Sequence, residues 1–123
     1  MATPAHSPGM VDVAVTPRMA AGIEVVNVEG EVDIYAAPRL RDLLIDLASK
    51  NSYRLVVNLD KAGFLDPAGL GVLAGGLNRV RPHDGWLDLV CTQDRILKIF
   101  KVAGLTKVFG IYQTVDQAIA ARK

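Results

Sequence analysis

LVVNLDKAGFLDPAGLGVLAGGLNRV, residues 55–80, decides how the chain is read. With Tyr53 and Arg54 in front, its first part is a short, nearly continuous apolar run. That is the pattern of a strand buried on both faces, so a central strand is expected over 53–60. Its second part places Leu70, Leu73, Leu77 and Val80 at helical spacing, a stripe suited to face a sheet. Asp66 can cap that helix through a side-chain oxygen, and Pro67 can take the first helical position, where a missing N–H is harmless. The helix should run to about Arg81. Gly69, Gly71, Gly75 and Gly76 lie inside it, and a glycine there costs about 1 kcal/mol relative to alanine. Ala68, Gly71 and Gly75 share one face, where small residues let a backbone approach closely, whether of the same sheet or of a partner.

Outward from this centre the periodicities give the rest. VDVAVTP (11–17) alternates and ends at Pro17; IEVVNVEGEV (23–32) follows the Ala21-Gly22 turn, so the two should form a hairpin. Pro38 suits a first helical turn, and Leu40, Leu43, Leu44 and Leu47 make an apolar stripe ending near Lys50. WLDLVC (86–91) reads as a strand. Thr92 is expected to cap a helix carrying Ile96, Leu97, Ile99 and Phe100, with Gly104 as its stop. VFGIY (108–112) reads as a last strand, and Thr114 with Gln117 has the spacing of a capping box opening a C-terminal helix. The order β-β-α-β-α-β-α-β-α indicates an α/β domain with a mainly parallel central sheet.

Composition narrows the function. A chain of 123 residues, half of them hydrophobic, suits one domain over 11–123 with a real core, and a formal charge of +1 does not suggest a nucleic-acid surface. Arg79 and Arg81 are followed by Asp84 and Asp88, which reads as a solvated helix end. His6, His83 and one cysteine assemble no metal-ligand cluster by spacing. Cys91 cannot form an internal disulfide, and in its apolar run it reads as a buried, reduced, structural thiol. Residues 1–10, MATPAHSPGM, read as a disordered leader without the basic and apolar regions of a signal peptide. No apolar run has the length of a membrane span, so a soluble, cytoplasmic protein without membrane contact is expected.

Gly69-x-Gly71-x-x-Ala74 matches the dinucleotide fingerprint, yet its first glycine lies ten residues beyond Leu59 and inside a helix, not in the turn after a first strand. There is also no Gly-Lys-Ser/Thr for a phosphate loop. No cofactor is expected.

VEGEVDIYAAPRLRDLL, then residues 55–80, then LVCTQDRILKIFKVAGLTKVFGIY resemble, in order and spacing, the STAS-domain anti-sigma-factor antagonists of bacteria. The resemblance runs from about Val11 to Ala121. It implies a central mixed β-sheet of about five strands flanked by about four helices, in line with the element order. It also implies a partner: an anti-sigma factor with a kinase-like fold, whose capture releases a sigma factor, and which inactivates the antagonist by phosphorylating it. The family's G-E-[LV]-D is Gly30-Glu31-Val32-Asp33 here, with the aspartate on the partner-facing surface. The family's helix start, D-S-[ST]-G, is Asp66-Pro67-Ala68-Gly69, so both hydroxyls are gone and Pro67 stands at the phosphoacceptor position. The resemblance thus assigns Asp33, Asp66, Pro67, Ala68 and Gly69 to partner binding and leaves no phosphoacceptor.

Three function classes follow. The first is an antagonist that binds its anti-sigma factor without a phosphorylation switch. The second is a non-phosphorylatable STAS scaffold or decoy in a larger signalling assembly. The third, an enzyme, would need Asp33 and Asp66 to meet in a pocket, because no Ser/His/Asp or Cys/His set is visible; no enzyme is expected. Whether the domain forms a homodimer is open.

Overall fold

The computed structural model describes residues 11–18, in backbone alone, and 22–122. The expected leader, 1–10, and Ala21 of the expected turn lie outside the described residues. Five strands make one sheet in the order β1-β2-β3-β4-β5: Val11–Arg18, Ile23–Val32, Arg54–Leu65, Trp86–Val90 and Ile111–Tyr112. β1 pairs antiparallel with β2, as the hairpin reading requires, and the remaining pairs are parallel, so the sheet is mixed. Four α-helices follow the sequence order: α1 Ala37–Ser49, α2 Pro67–Val80, α3 Asp94–Val102 and α4 Val115–Ala120.

The apolar run of β3 is explained by two cores, one on each face. Leu55, Val57 and Leu59 join the larger cluster with Leu40, Leu44 and Leu47 of α1, Leu70, Leu73, Leu77 and Val80 of α2, and Ile96 and Phe100 of α3. Val56 points the other way and packs with Ile23, Val25, Val90 and the α4 residues Ala118 and Ile119. A parallel strand covered by helices on both sides has no solvent face left to be polar.

β3 runs five residues past its expected end. It continues because β2 goes on pairing with it to Val32↔Leu65, through register shifts between Asn27 and Glu29 and between Gly30 and Glu31. Gly30 sits at the second shift with φ +94°, a conformation that only glycine adopts freely, which accounts for the glycine of Gly30-Glu31-Val32-Asp33.

Three further expectations are corrected. The residue before α3 is Gln93, with no side-chain cap, and Thr92 does not cap it. The Thr92 amide and hydroxyl both donate to Asp60 Oδ1, at 2.8 and 3.1 Å, so the threonine ties α3's approach to the middle of β3. The last strand is only Ile111–Tyr112, because the amides of Val108 and Phe109 turn back to the Leu105 carbonyl and Phe109 is buried edge-on to Phe100. Asp88 is not solvated: it is 1 % exposed and bound by Arg122. The other helix ends follow the sequence. Gly104, φ +72°, terminates α3 as Leu105 N donates to Phe100 O, and Thr114 Oγ1 accepts from Gln117 N to open α4.

Candidate functional site

The C-terminal ends of β2 and β3 bring the two motif aspartates together. Asp33 and Asp66 directly follow the register partners Val32 and Leu65, and Asp66 N donates to Val32 O at 2.8 Å. Each carboxylate then organises its own turn. Asp33 Oδ1 accepts from the amides of Tyr35 and Ala36 at 3.0 and 2.8 Å, and the Asp33 carbonyl accepts from Ala37 N at 2.9 Å. It thereby holds the amides at the start of α1, a helix whose capping position, Ala36, provides no side-chain cap. Asp66, in extended conformation, caps α2 by accepting from Ala68 N at 2.9 Å, with Pro67 in the first helical turn. Both capping expectations for α2 hold.

The three residues after the Asp66 cap divide in two. Pro67 and Ala68 are exposed. Gly69 is buried, and a Cβ built on it would lie 2.7 Å from Leu65 Cδ1 and 2.9 Å from Val32 Cγ1. Gly76 is tight in the same way, 3.0 Å from Leu44 and 3.1 Å from Leu87, while Gly71 and Gly75 have nothing within 4 Å. The sequence assigned close approach, of the sheet or of a partner, to Ala68, Gly71 and Gly75. Within the chain it is Gly69 and Gly76 that let α2 settle onto the sheet and α1.

Residues that the sequence reading passed over flank the aspartates. Ile34 and Tyr35, in the turn after β2, are 55 % and 67 % exposed, and Phe64 beside the α2 cap is 40 % exposed. Their signal was available: large apolar residues in a connection that local periodicity assigns to neither strand nor helix. The site is therefore two half-buried, turn-holding aspartates amid exposed apolar side chains and a helix start carrying only Pro67 and Ala68 outward. Such a surface suits docking of a protein, with carboxylates as fixed charges. Among the described residues no group of three His, Cys, Asp or Glu side chains is arranged to hold a metal, and no helix is long and apolar enough to cross a membrane.

Comparisons with known proteins agree with this architecture. The family model described as STAS domain matches residues 13–118. An anti-sigma-B factor antagonist of Bacillus subtilis is 35 % identical over 86 residues, 70 % of this chain and 78 % of that protein. The crystal structure of an anti-sigma factor antagonist from Mycobacterium paratuberculosis superposes with a TM-score of 0.85 at 27 % identity, covering 94 % of this chain and 96 % of the other. The fold is also that of SpoIIAA, the Bacillus cell fate determinant, in its phosphorylated form, with a TM-score of 0.71 at 18 % identity over 91 % of this chain and all of that one. With its β-β-α-β-α-β-α-β-α order, mixed sheet and capped α2, this chain belongs to the STAS domain family of anti-sigma-factor antagonists.

Proposed function

We propose that this chain is an anti-sigma-factor antagonist that docks a kinase-like anti-sigma factor on the Asp33 and Asp66-Pro67-Ala68-Gly69 face, releases the sigma factor, and is not switched off by phosphorylation at that face. The relatives named anti-sigma-B factor antagonists support the partner class. The observation that carries the missing switch is the helix start itself: Asp66 still caps α2, yet Pro67 and Ala68 offer no hydroxyl. A phosphate on a helix N-terminus is well tolerated by the free amides and the dipole. It would add about −1.5 to −2 charges next to Asp33 and so oppose a partner that fits the bare surface. Without an acceptor, that change has no place to occur here. The role is binding, and the protein's amount, not its modification, sets how much anti-sigma factor is held.

The same proline supports a second reading, because a partner that hydrogen-bonds the family's serine would find none. The chain would then be a weak binder, serving as a decoy or as a scaffold in a larger assembly.

Incubation with ATP and the anti-sigma kinase it binds, followed by intact mass, tests the switch. No added mass is expected for the wild type, and Pro67→Ser should become phosphorylatable. A stoichiometric single-phosphate shift of the wild type overturns the proposal. Calorimetry against that anti-sigma factor separates the antagonist from the weak binder.

A further inference from the structure

Beside the α2 start, an apolar groove of about 560 Å³ opens between α2 and α3. Phe64, Pro67 and Leu70 form one wall, and Ile99 and Val102 the other. Val102, 80 % exposed, is the most exposed large apolar side chain among the described residues, and Phe64 is 40 % exposed. Arg95 and Lys98 also line the groove and no carboxylate does; among the described residues neither cation is engaged in an ion pair. Leaving two apolar walls in water is unfavourable in proportion to their area, and a concave shape of this kind favours protruding side chains.

We propose that this groove is a second protein-docking element, which takes apolar side chains of an amphipathic partner segment whose carboxylates meet Arg95 and Lys98. The charge of the rim selects the occupant. Residues 1–10 of the chain itself, MATPAHSPGM, are partly apolar but contain no Asp or Glu, so they leave both cations unanswered. A partner segment with leucine-like residues on one helical face and acidic residues beside them answers the walls and the rim together. Pro67 borders both this groove and the Asp33 face, so one partner can engage both. The groove nevertheless rests on its own walls and charges, and its test requires no anti-sigma factor.

The full chain, isotopically labelled for amide NMR, is titrated with two synthetic helical peptides. They carry the same leucines and differ only in having glutamate or lysine at the polar positions. The glutamate peptide should shift the amide resonances of residues 64–70 and 95–103. At low salt it should bind about fivefold more tightly than the lysine peptide, as two exposed charge pairs allow. Val102→Asp should abolish the shifts, and its exposure makes it compatible with folding, which a melting curve checks. Arg95→Glu combined with Lys98→Glu should reverse the peptide preference. Equal binding of both peptides, binding of neither, or shifts confined to another surface overturns the proposal. So does a wild-type dimer in sedimentation that Val102→Asp converts to monomer, since a second copy would then fill the groove.

Discussion

Arg122 grips Asp88 with two hydrogen bonds, Nε to Oδ2 at 2.8 Å and the terminal nitrogen to Oδ1 at 2.9 Å, although Asp88 is almost wholly buried and the arginine side chain is 40 % exposed. The guanidinium also lies 4.8 Å over the Trp86 ring. The pair ties the residues after α4 to the middle of β4, on the face of the sheet that α4 covers. Gly110 leaves it room, since a Cβ there would come within 2.9 Å of Asp88 Oδ1.

Arg122→Ala should therefore destabilise the fold by about 1–2 kcal/mol, less than the 3–5 of a fully buried pair because the arginine end is wet. The hydrogen bonds to Asp88 raise the pKa of Arg122 above its ordinary value. A raised folded value means that its stabilisation is complete below the unfolded value and is lost only as pH rises through the folded one, far into alkali. The Arg122→Ala deficit, read from urea midpoints, should thus be constant across neutral pH.

Gly69→Ala should destabilise by about 1–3 kcal/mol, because its methyl would strike Leu65 and Val32 inside a packed core. Gly71→Ala and Gly75→Ala meet open space and should each stabilise by about 0.5–1 kcal/mol through helix propensity. Thermal melts of the three variants distinguish glycines set by the fold from glycines that are only permitted by it. Equal effects at all three positions would contradict the packing.

Asp33 combines a turn anchor with a surface charge, and two substitutions separate them. Asp33→Asn keeps an oxygen for the Tyr35 and Ala36 amides, so stability should change by no more than about 0.5 kcal/mol while anti-sigma binding weakens. Asp33→Ala loses the anchor as well and should cost about 0.5–2 kcal/mol. Unaltered calorimetric affinity in Asp33→Asn would remove this carboxylate from the docking face. Asp66→Ala should likewise cost about 0.5–2 kcal/mol from the α2 cap alone.

Cys91 is buried, and that burial, reinforced by the charge of Asp60 and partly offset by the backbone of Gln93, raises its pKa above the ordinary thiol value. The contribution to stability is complete below the unfolded value of about 8.5 and declines as pH rises through the folded value, because the unfolded thiol ionises first. Urea midpoints from pH 7 to 10 should fall more steeply for the wild type than for Cys91→Ala. Thiol reagents should label the native protein only as fast as it opens.

The stripes of α1 and α2, the Asp66 cap with Pro67 behind it, the Gly104 stop and the hairpin partners were all legible in the sequence. Each is local: a period of 3.6 or 2, or a side chain reaching an amide within a turn, is complete inside a few residues. The loss of both hydroxyls at the α2 start was legible for the same reason. Other features required the chain to fold. Thr92 has the chemistry of a cap, but Asp60, from the middle of β3, claims its hydroxyl and amide. Asp88 alternates like a solvent-facing strand residue until α4 covers that face and brings Arg122 to it. The length of β3 depends on how far β2 continues beside it, which in turn places Asp66 against Val32 and next to Asp33. The four glycines of α2 look alike in sequence, and only neighbours from β2, β3, α1 and β4 make Gly69 and Gly76 obligatory. Capping and periodicity are short-range and so are written along the chain. Burial, ion pairing and the groove between α2 and α3 depend on residues far apart in sequence, and so are decided where the elements meet.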